Sequence, residues 1–155
     1  MIHVVRHADA GDRSTWEGPD TERPLTPKGR RQAEAIADAL IDSGIDTVWS
    51  SRYVRCRQTV EPLASRLGLE VIDHDHLAEG SWGTDALDAL LAEADAGRTV
   101  LACSHGDVIP ELLRAAVRRG ATLHGPEMPR KADRYELQVE NGEVTKIHHF
   151  QRTNG

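Results

Sequence analysis

Short β-branched runs alternate with stretches of helical period along most of this chain, and the alternation stops at Asn141-Gly142. Consecutive parallel strands need a long crossover, usually a helix. An Asn-Gly pair between two alternating runs signals a tight hairpin instead. Together these signals predict an α/β protein: a three-layer α/β/α sandwich with a mostly parallel central sheet and a C-terminal β-hairpin.

The strands are expected at 2–6, 47–49, 69–72, 98–104, 134–140 and 143–150, with 98–104 the most apolar and central. A first helix opens with Thr26 as N-cap and Pro27 at its first position. Ala33, Ile36, Ala37, Leu40 and Ile41 carry its buried face, and Gly44 ends it. Ser50-Ser51 reads as the cap of a second helix that runs to Leu67 and is closed by Gly68. Two more helices are expected at 85–96 and 107–119, with Pro110 tolerated in a first turn. The stretches 8–24, 73–84 and 120–130 read as loops.

A length of 155 residues fits one domain, 1–155. No apolar run approaches the roughly 20 residues that span a bilayer. The start, Met1 to His7, lacks a basic region followed by a long apolar one, so no secretory signal is expected and the chain is expected to be cytoplasmic. A net charge of −6 argues against nucleic acid and anionic membranes as partners. Cys56 and Cys103 can form neither a disulfide framework nor a paired-cysteine zinc site. Neither begins a Cys-x5-Arg loop, which excludes a cysteine phosphatase mechanism. The basic residues are sixteen Arg and three Lys. That bias fits bidentate phosphate recognition, and it fits a plain preference for Arg equally well; position decides.

In open α/β sheets, ligands sit beyond the carboxyl ends of the strands. Here the first strand ends in Arg6-His7 and the second in Ser50-Ser51, followed by Arg52, Arg55 and Arg57. The central strand ends in Ser104-His105-Gly106. Two histidines and several arginines are therefore expected in one concave spot. Guanidinium groups can hold phosphoryl oxygens, and a neutral imidazole can attack phosphorus.

Four segments carry a family resemblance. Val5-Arg6-His7-Ala8 resembles the Arg-His-Gly signature of the histidine phosphatase (phosphoglycerate mutase-like) superfamily. Residues 25–33, from Leu25-Thr26-Pro27 to Gln32-Ala33, are similar to its Leu-Thr-x-x-Gly-x-x-Gln-Ala element. Residues 51–59, with Ser51, Arg55, Gln58 and Thr59, are similar to its Ser-Pro-x-x-Arg-Ala-x-Gln-Thr element. Ser104-His105-Gly106 with Val108-Ile109 resembles its second-histidine element. The short length is most similar to the compact SixA-type phosphohistidine phosphatases. Arg55-Cys56-x-Gln58-Thr59-x-Glu61-Pro62-Leu63-Ala64 also resembles the phosphatase domain appended to some actinobacterial Nudix hydrolases.

The resemblance implies a phosphatase that forms a phosphohistidine at His7 and uses no metal or other cofactor. Arg6, Arg55 and His105 would bind the phosphoryl group, with the Gly106 backbone close by. A carboxylate after the third strand would protonate the leaving group; Asp73, Asp75, Glu79 and Asp85 are available, and Glu79 is chosen. Ala8 stands where the family has Gly, and Arg52 where it has Pro. The implied partner is a phosphohistidine-bearing protein. A small phosphorylated metabolite such as a nucleotide or sugar phosphate is the alternative, and a phosphate-sensing module without catalysis is a third reading. Oligomeric state is left open.

Other residues have plainer readings. Arg13, Arg23 and Arg57 read as solvated charges, the first two within reach of the cleft. Cys103 reads as a small buried hydrophobe. His74-x-His76 would face one way on a strand and could bind a metal, but no third ligand accompanies it. His148-His149 would point to opposite faces.

Overall fold

A computed structural model describes residues 1–153. Asn154 and Gly155, the end of the expected 1–155 domain, lie outside the described residues. The strands are β1 (Ile2–Arg6), β2 (Thr47–Ser50), β3 (Val71–Asp73), β4 (Val100–Ser104), β5 (Thr122–His124), β6 (Arg134–Glu140) and β7 (Glu143–Phe150). The helices are α1 (Pro27–Leu40), α2 (Val54–Leu67), α3 (Gly83–Asp95) and α4 (Val108–Arg118). One seven-stranded sheet runs in the order β3-β2-β4-β1-β6-β7-β5. β3, β2, β4 and β1 are parallel, and β6 and β7 form the antiparallel hairpin.

The sheet is covered on both faces because strand side chains alternate. Ile2, Val4, Val100 and Ala102 pack with Leu87, Leu90, Leu112 and Leu113 of α3 and α4. Val5, Leu101 and Cys103 pack with Ile36, Leu40, Val60 and Leu63 of α1 and α2. This is the expected three-layer sandwich. No helix among the described residues is long and apolar enough to cross a membrane.

Four local expectations are corrected. The 120–130 stretch contains β5, which pairs parallel with β7. The 8–24 and 73–84 loops hold short 3-10 turns at Arg13–Thr15, Asp20–Glu22 and Asp75–Leu77. α3 starts at Gly83, two residues earlier than expected, because α4 lies against it: a Cβ at Gly83 would sit 2.4 Å from the Leu112 nitrogen. Finally, Ser50-Ser51 does not cap α2. Tyr53 is the N-cap residue, without a side-chain bond, and the Ser51 hydroxyl is turned to another partner.

Candidate active site

Register brings the two histidines together. Arg6 pairs with Ser104 across β1 and β4, and the His7 amide donates to the Ser104 carbonyl at 3.0 Å. The next residues in each strand, His7 and His105, therefore leave the sheet side by side. Their ring centroids are 5.5 Å apart, edge to face. α2 begins just beyond β2 and delivers Arg55, only 1% exposed, to the same place.

Around these groups lies a cleft of about 320 Å³, lined by Arg6, His7, Arg55, Glu79, His105 and Gly106. Arg13, Arg23, Asp107, Met128 and Lys131 complete its wall. Every residue expected in the site is thus brought together. Larger grooves lie elsewhere, one of about 870 Å³ between α1 and α2.

The motif residues brace this cleft. Thr26 accepts from the Gly29 amide and donates to Asp9, tying the start of α1 to the loop after β1. Gln32 accepts from the Asp9 amide and Gln58 from the Leu25 amide. Thr59 accepts from the Ala8 amide at 2.9 Å, fixing the backbone just after the nucleophile candidate. Positive φ outside glycine is confined, among the described residues, to Ala132 and Asn141. Ala8 therefore replaces the usual Gly without backbone strain. Gly106 gives Arg6 its seat: a Cβ there would lie 2.8 Å from Cζ of Arg6, so the guanidinium rests directly on the glycine and a side chain at 106 would displace it.

Burial holds both histidines neutral. It pushes the His7 pKa down to about 3, with the Arg55 and Arg6 cations acting in the same direction. It pushes His105 down to about 2, helped by His7 and the same arginines. His7 Nδ1 lies 2.9 Å from the Ala8 carbonyl oxygen. A carbonyl only accepts, so Nδ1 carries the proton and Nε2 keeps the lone pair. Arg6 Nη1 donates to the Pro129 carbonyl at 2.9 Å. Buried atoms without a partner include Arg6 Nε, Arg55 Nε and His105 Nδ1. Leaving a buried polar atom unpaired costs about 1–3 kcal/mol. Three such atoms around one cleft mark a place built for an oxygen-rich anion.

Sequence reasoning missed Asp20. Its carboxylate lies 3.1 Å from Arg55 Nη2, and its carbonyl accepts from Arg55 Nη1 at 2.9 Å. Arg23 Nε donates to the same carboxylate at 3.0 Å, and Arg13 lies 3.4 Å away. Asp20 sits in a polar loop, where an acid ordinarily reads as solvated; no spacing signal sets it apart. Arg23 is corrected likewise, whereas Arg13 is a solvated charge at the cleft wall, as expected. Arg23 is 6% exposed and binds the Ala10 carbonyl, while Arg13 pairs with Glu79 at 2.8 Å. Glu79 also approaches Arg55, at 3.7 Å.

The remaining candidates lie apart from the cleft. Arg57 pairs with Asp73, and Arg52 is exposed over the Tyr53 ring. His74 is not on a strand: it precedes a 3-10 turn and stacks on Trp49 at 4.3 Å. His148 stacks on His124, and His149 pairs with Asp133 at 2.9 Å. No group of three or more metal-ligating side chains is assembled among the described residues.

Fold and cleft together define an α/β domain with two histidines and several arginines gathered beyond its strand ends, and comparison with known proteins gives its family. A sequence profile of the histidine phosphatase superfamily (branch 1) matches residues 2–90, and the chain belongs to that superfamily. It is 35% identical over 146 residues to an 8-oxo-(d)GTP phosphatase of Mycolicibacterium smegmatis, covering 92% of this chain and 45% of that protein. The chain spans less than half the length of the curated relatives it matches. A structure described as phosphohistidine phosphatase SixA from Agrobacterium tumefaciens superposes with a TM-score of 0.64, at 26% identity and 75% coverage of each chain. A protein histidine phosphatase SixA complexed with tungstate gives 0.73, at 22% identity, covering 97% of this chain and 94% of that one.

Proposed function

We propose that this domain hydrolyses a phosphorylated substrate through a covalent phosphohistidine at His7, without a metal, and that its substrate is a phosphohistidine-bearing protein. The observation that carries the chemistry is the pairing of a neutral, correctly protonated His7 with unpaired N–H groups of Arg6 and Arg55 in one cleft.

His7 Nε2 attacks phosphorus, the bond from phosphorus to the substrate nitrogen breaks, and the leaving imidazole departs with a proton. Arg6 and Arg55 neutralise the equatorial oxygens as they gain charge, and His105 donates a hydrogen bond to them. Water then attacks phospho-His7, inorganic phosphate leaves, and Nε2 regains its lone pair. Glu79 stands in the same cleft to give and take the proton.

A volume of about 320 Å³ supports the protein-borne substrate, because it is at the small end of ligand pockets. It accommodates a phosphoryl group and the ring that bears it. Met128, 62% exposed at the cleft wall, leaves the mouth open to a docking surface. One observation favours a small phosphate ester instead. A carboxyl group, Glu79, lines the cleft, and an alkoxide leaving group needs a positioned acid more than an imidazole does.

The test is rapid alkaline quench, which spares the acid-labile P–N bond, with labelled phosphoramidate or phosphohistidine peptide. Label is expected on His7, and His7→Ala should neither trap label nor turn over. Normal turnover by His7→Ala overturns the mechanism. A panel of phosphohistidine protein, nucleotides and sugar phosphates then ranks the substrates by kcat/KM.

A further inference from the structure

Ser51 belongs to the second strand's end, yet its hydroxyl serves His105. Its Oγ lies 2.8 Å from His105 Nε2, and both residues are buried. The Tyr53 amide donates to the same Oγ at 3.3 Å, which takes up one of its lone pairs. The hydroxyl proton remains to be given away. Cys56 Sγ, also buried, lies 3.5 Å from the same Nε2, but its one hydrogen goes to the Ser104 carbonyl at 3.8 Å. Tyr53 stands edge-on to the His105 ring at 4.7 Å and holds its plane. The other ring nitrogen, Nδ1, has no partner, and the ring itself lines the cleft.

A neutral imidazole has one N–H, and the neighbours of its two nitrogens choose which. With the proton on Nε2, Nδ1 would present a lone pair to an incoming phosphoryl oxygen and repel it. With the proton on Nδ1, His105 donates to that oxygen while Nε2 accepts from Ser51. We infer that Ser51 is a positioning residue that selects the Nδ1–H tautomer of His105 and so turns this histidine into a hydrogen-bond donor for the phosphoryl group. The catalytic part of this inference rests on the proposed function; the tautomer does not.

The experiment reads the two separately. Nitrogen-15 NMR of labelled wild-type protein should show His105 with an unprotonated Nε2 and a protonated Nδ1. A protonated Nε2 with an unprotonated Nδ1 overturns the inference, whatever the substrate proves to be. Ser51→Ala should populate the other tautomer and weaken tungstate binding about tenfold, the factor set by roughly one hydrogen bond. Ser51→Thr, which keeps the hydroxyl, should restore both signals. An unchanged tautomer and unchanged tungstate affinity in Ser51→Ala refute the role of its hydroxyl. If the alanine variant does not fold, the wild-type spectrum and Ser51→Thr still decide the matter.

Discussion

Acid should unfold this protein unusually steeply, because three of its histidines are buried and neutral. His3 has its pKa pushed down to about 4, chiefly by burial, and neither ring nitrogen has a hydrogen-bond partner. His7 and His105 are pushed to about 3 and about 2, again chiefly by burial. In the unfolded chain each returns to about 6.5. Between these values the unfolded state binds more protons than the folded one, so stability rises with pH and is lost on acidification. At pH 5 each histidine is 1.5 units below its unfolded pKa, which costs about 2 kcal/mol at 1.36 kcal/mol per unit. The three together cost about 6 kcal/mol, against a typical total stability of about 5–15 kcal/mol. The figure at pH 5 depends little on how far below 5 the folded pKa values lie. Urea unfolding at a series of pH values should give a slope of about 4 kcal/mol per pH unit near pH 5, the signature of three protons. His3 lies outside the cleft, so His3→Leu isolates one of them. The slope should fall by about 1.4 kcal/mol per pH unit with turnover preserved. A wild-type slope of one proton or less, or no change in His3→Leu, would refute the reasoning.

Three further outcomes follow from the cleft. Glu79→Gln should lower kcat/KM by about 10²–10³-fold on an alkyl phosphate, but by less than roughly tenfold on a phosphohistidine peptide. A uniform loss, including on p-nitrophenyl phosphate, would mean that Glu79 acts by holding Arg13 and Arg55. Turnover should be unchanged by EDTA, since arginines neutralise the phosphoryl charge; loss that zinc or magnesium restores overturns metal independence. Asp20→Asn removes the anion resting on Arg55 and should tighten tungstate binding about three- to tenfold by calorimetry, in keeping with about 1 kcal/mol for a partly exposed pair. Weaker binding would show that Asp20 holds Arg55 in place instead of competing for it.

Periodicity and turn chemistry made the layers legible: the alternation of strand and helix, the Thr26-Pro27 start and the Asn141-Gly142 hairpin all carry local signals. The residues gathered in the cleft were legible because strand ends mark it, and Arg6, His7 and His105 lie at strand ends. β5 was not, since three residues between glycines and prolines, joined only to β7, show no alternation to read. The start of α3 was hidden because Gly83 ordinarily argues against a helix, and only the close approach of α4 explains it. Asp20 and Arg23 were hidden because their partners are contributed by the rest of the fold. Ser51 was misread because a serine before a helix is most often its cap; the competing partner, His105, is 54 residues away.

The central place of β1 has a consequence for biosynthesis. Ile2–Arg6 hydrogen-bonds to β4 on one side and to β6 on the other, so its partners lie at residues 100–104 and 134–137. β1 is made before either partner, so one of its edges lacks its partner until residue 104 has emerged and the other until residue 137 has. At about 5–20 residues per second that interval is several seconds or more. Bare apolar edges recruit other chains, and long-range pairing is slow. The strand that leads into His7 is therefore made before its partners and completed only after the last of them. A nascent chain stalled before residue 134 would display it to every neighbouring chain.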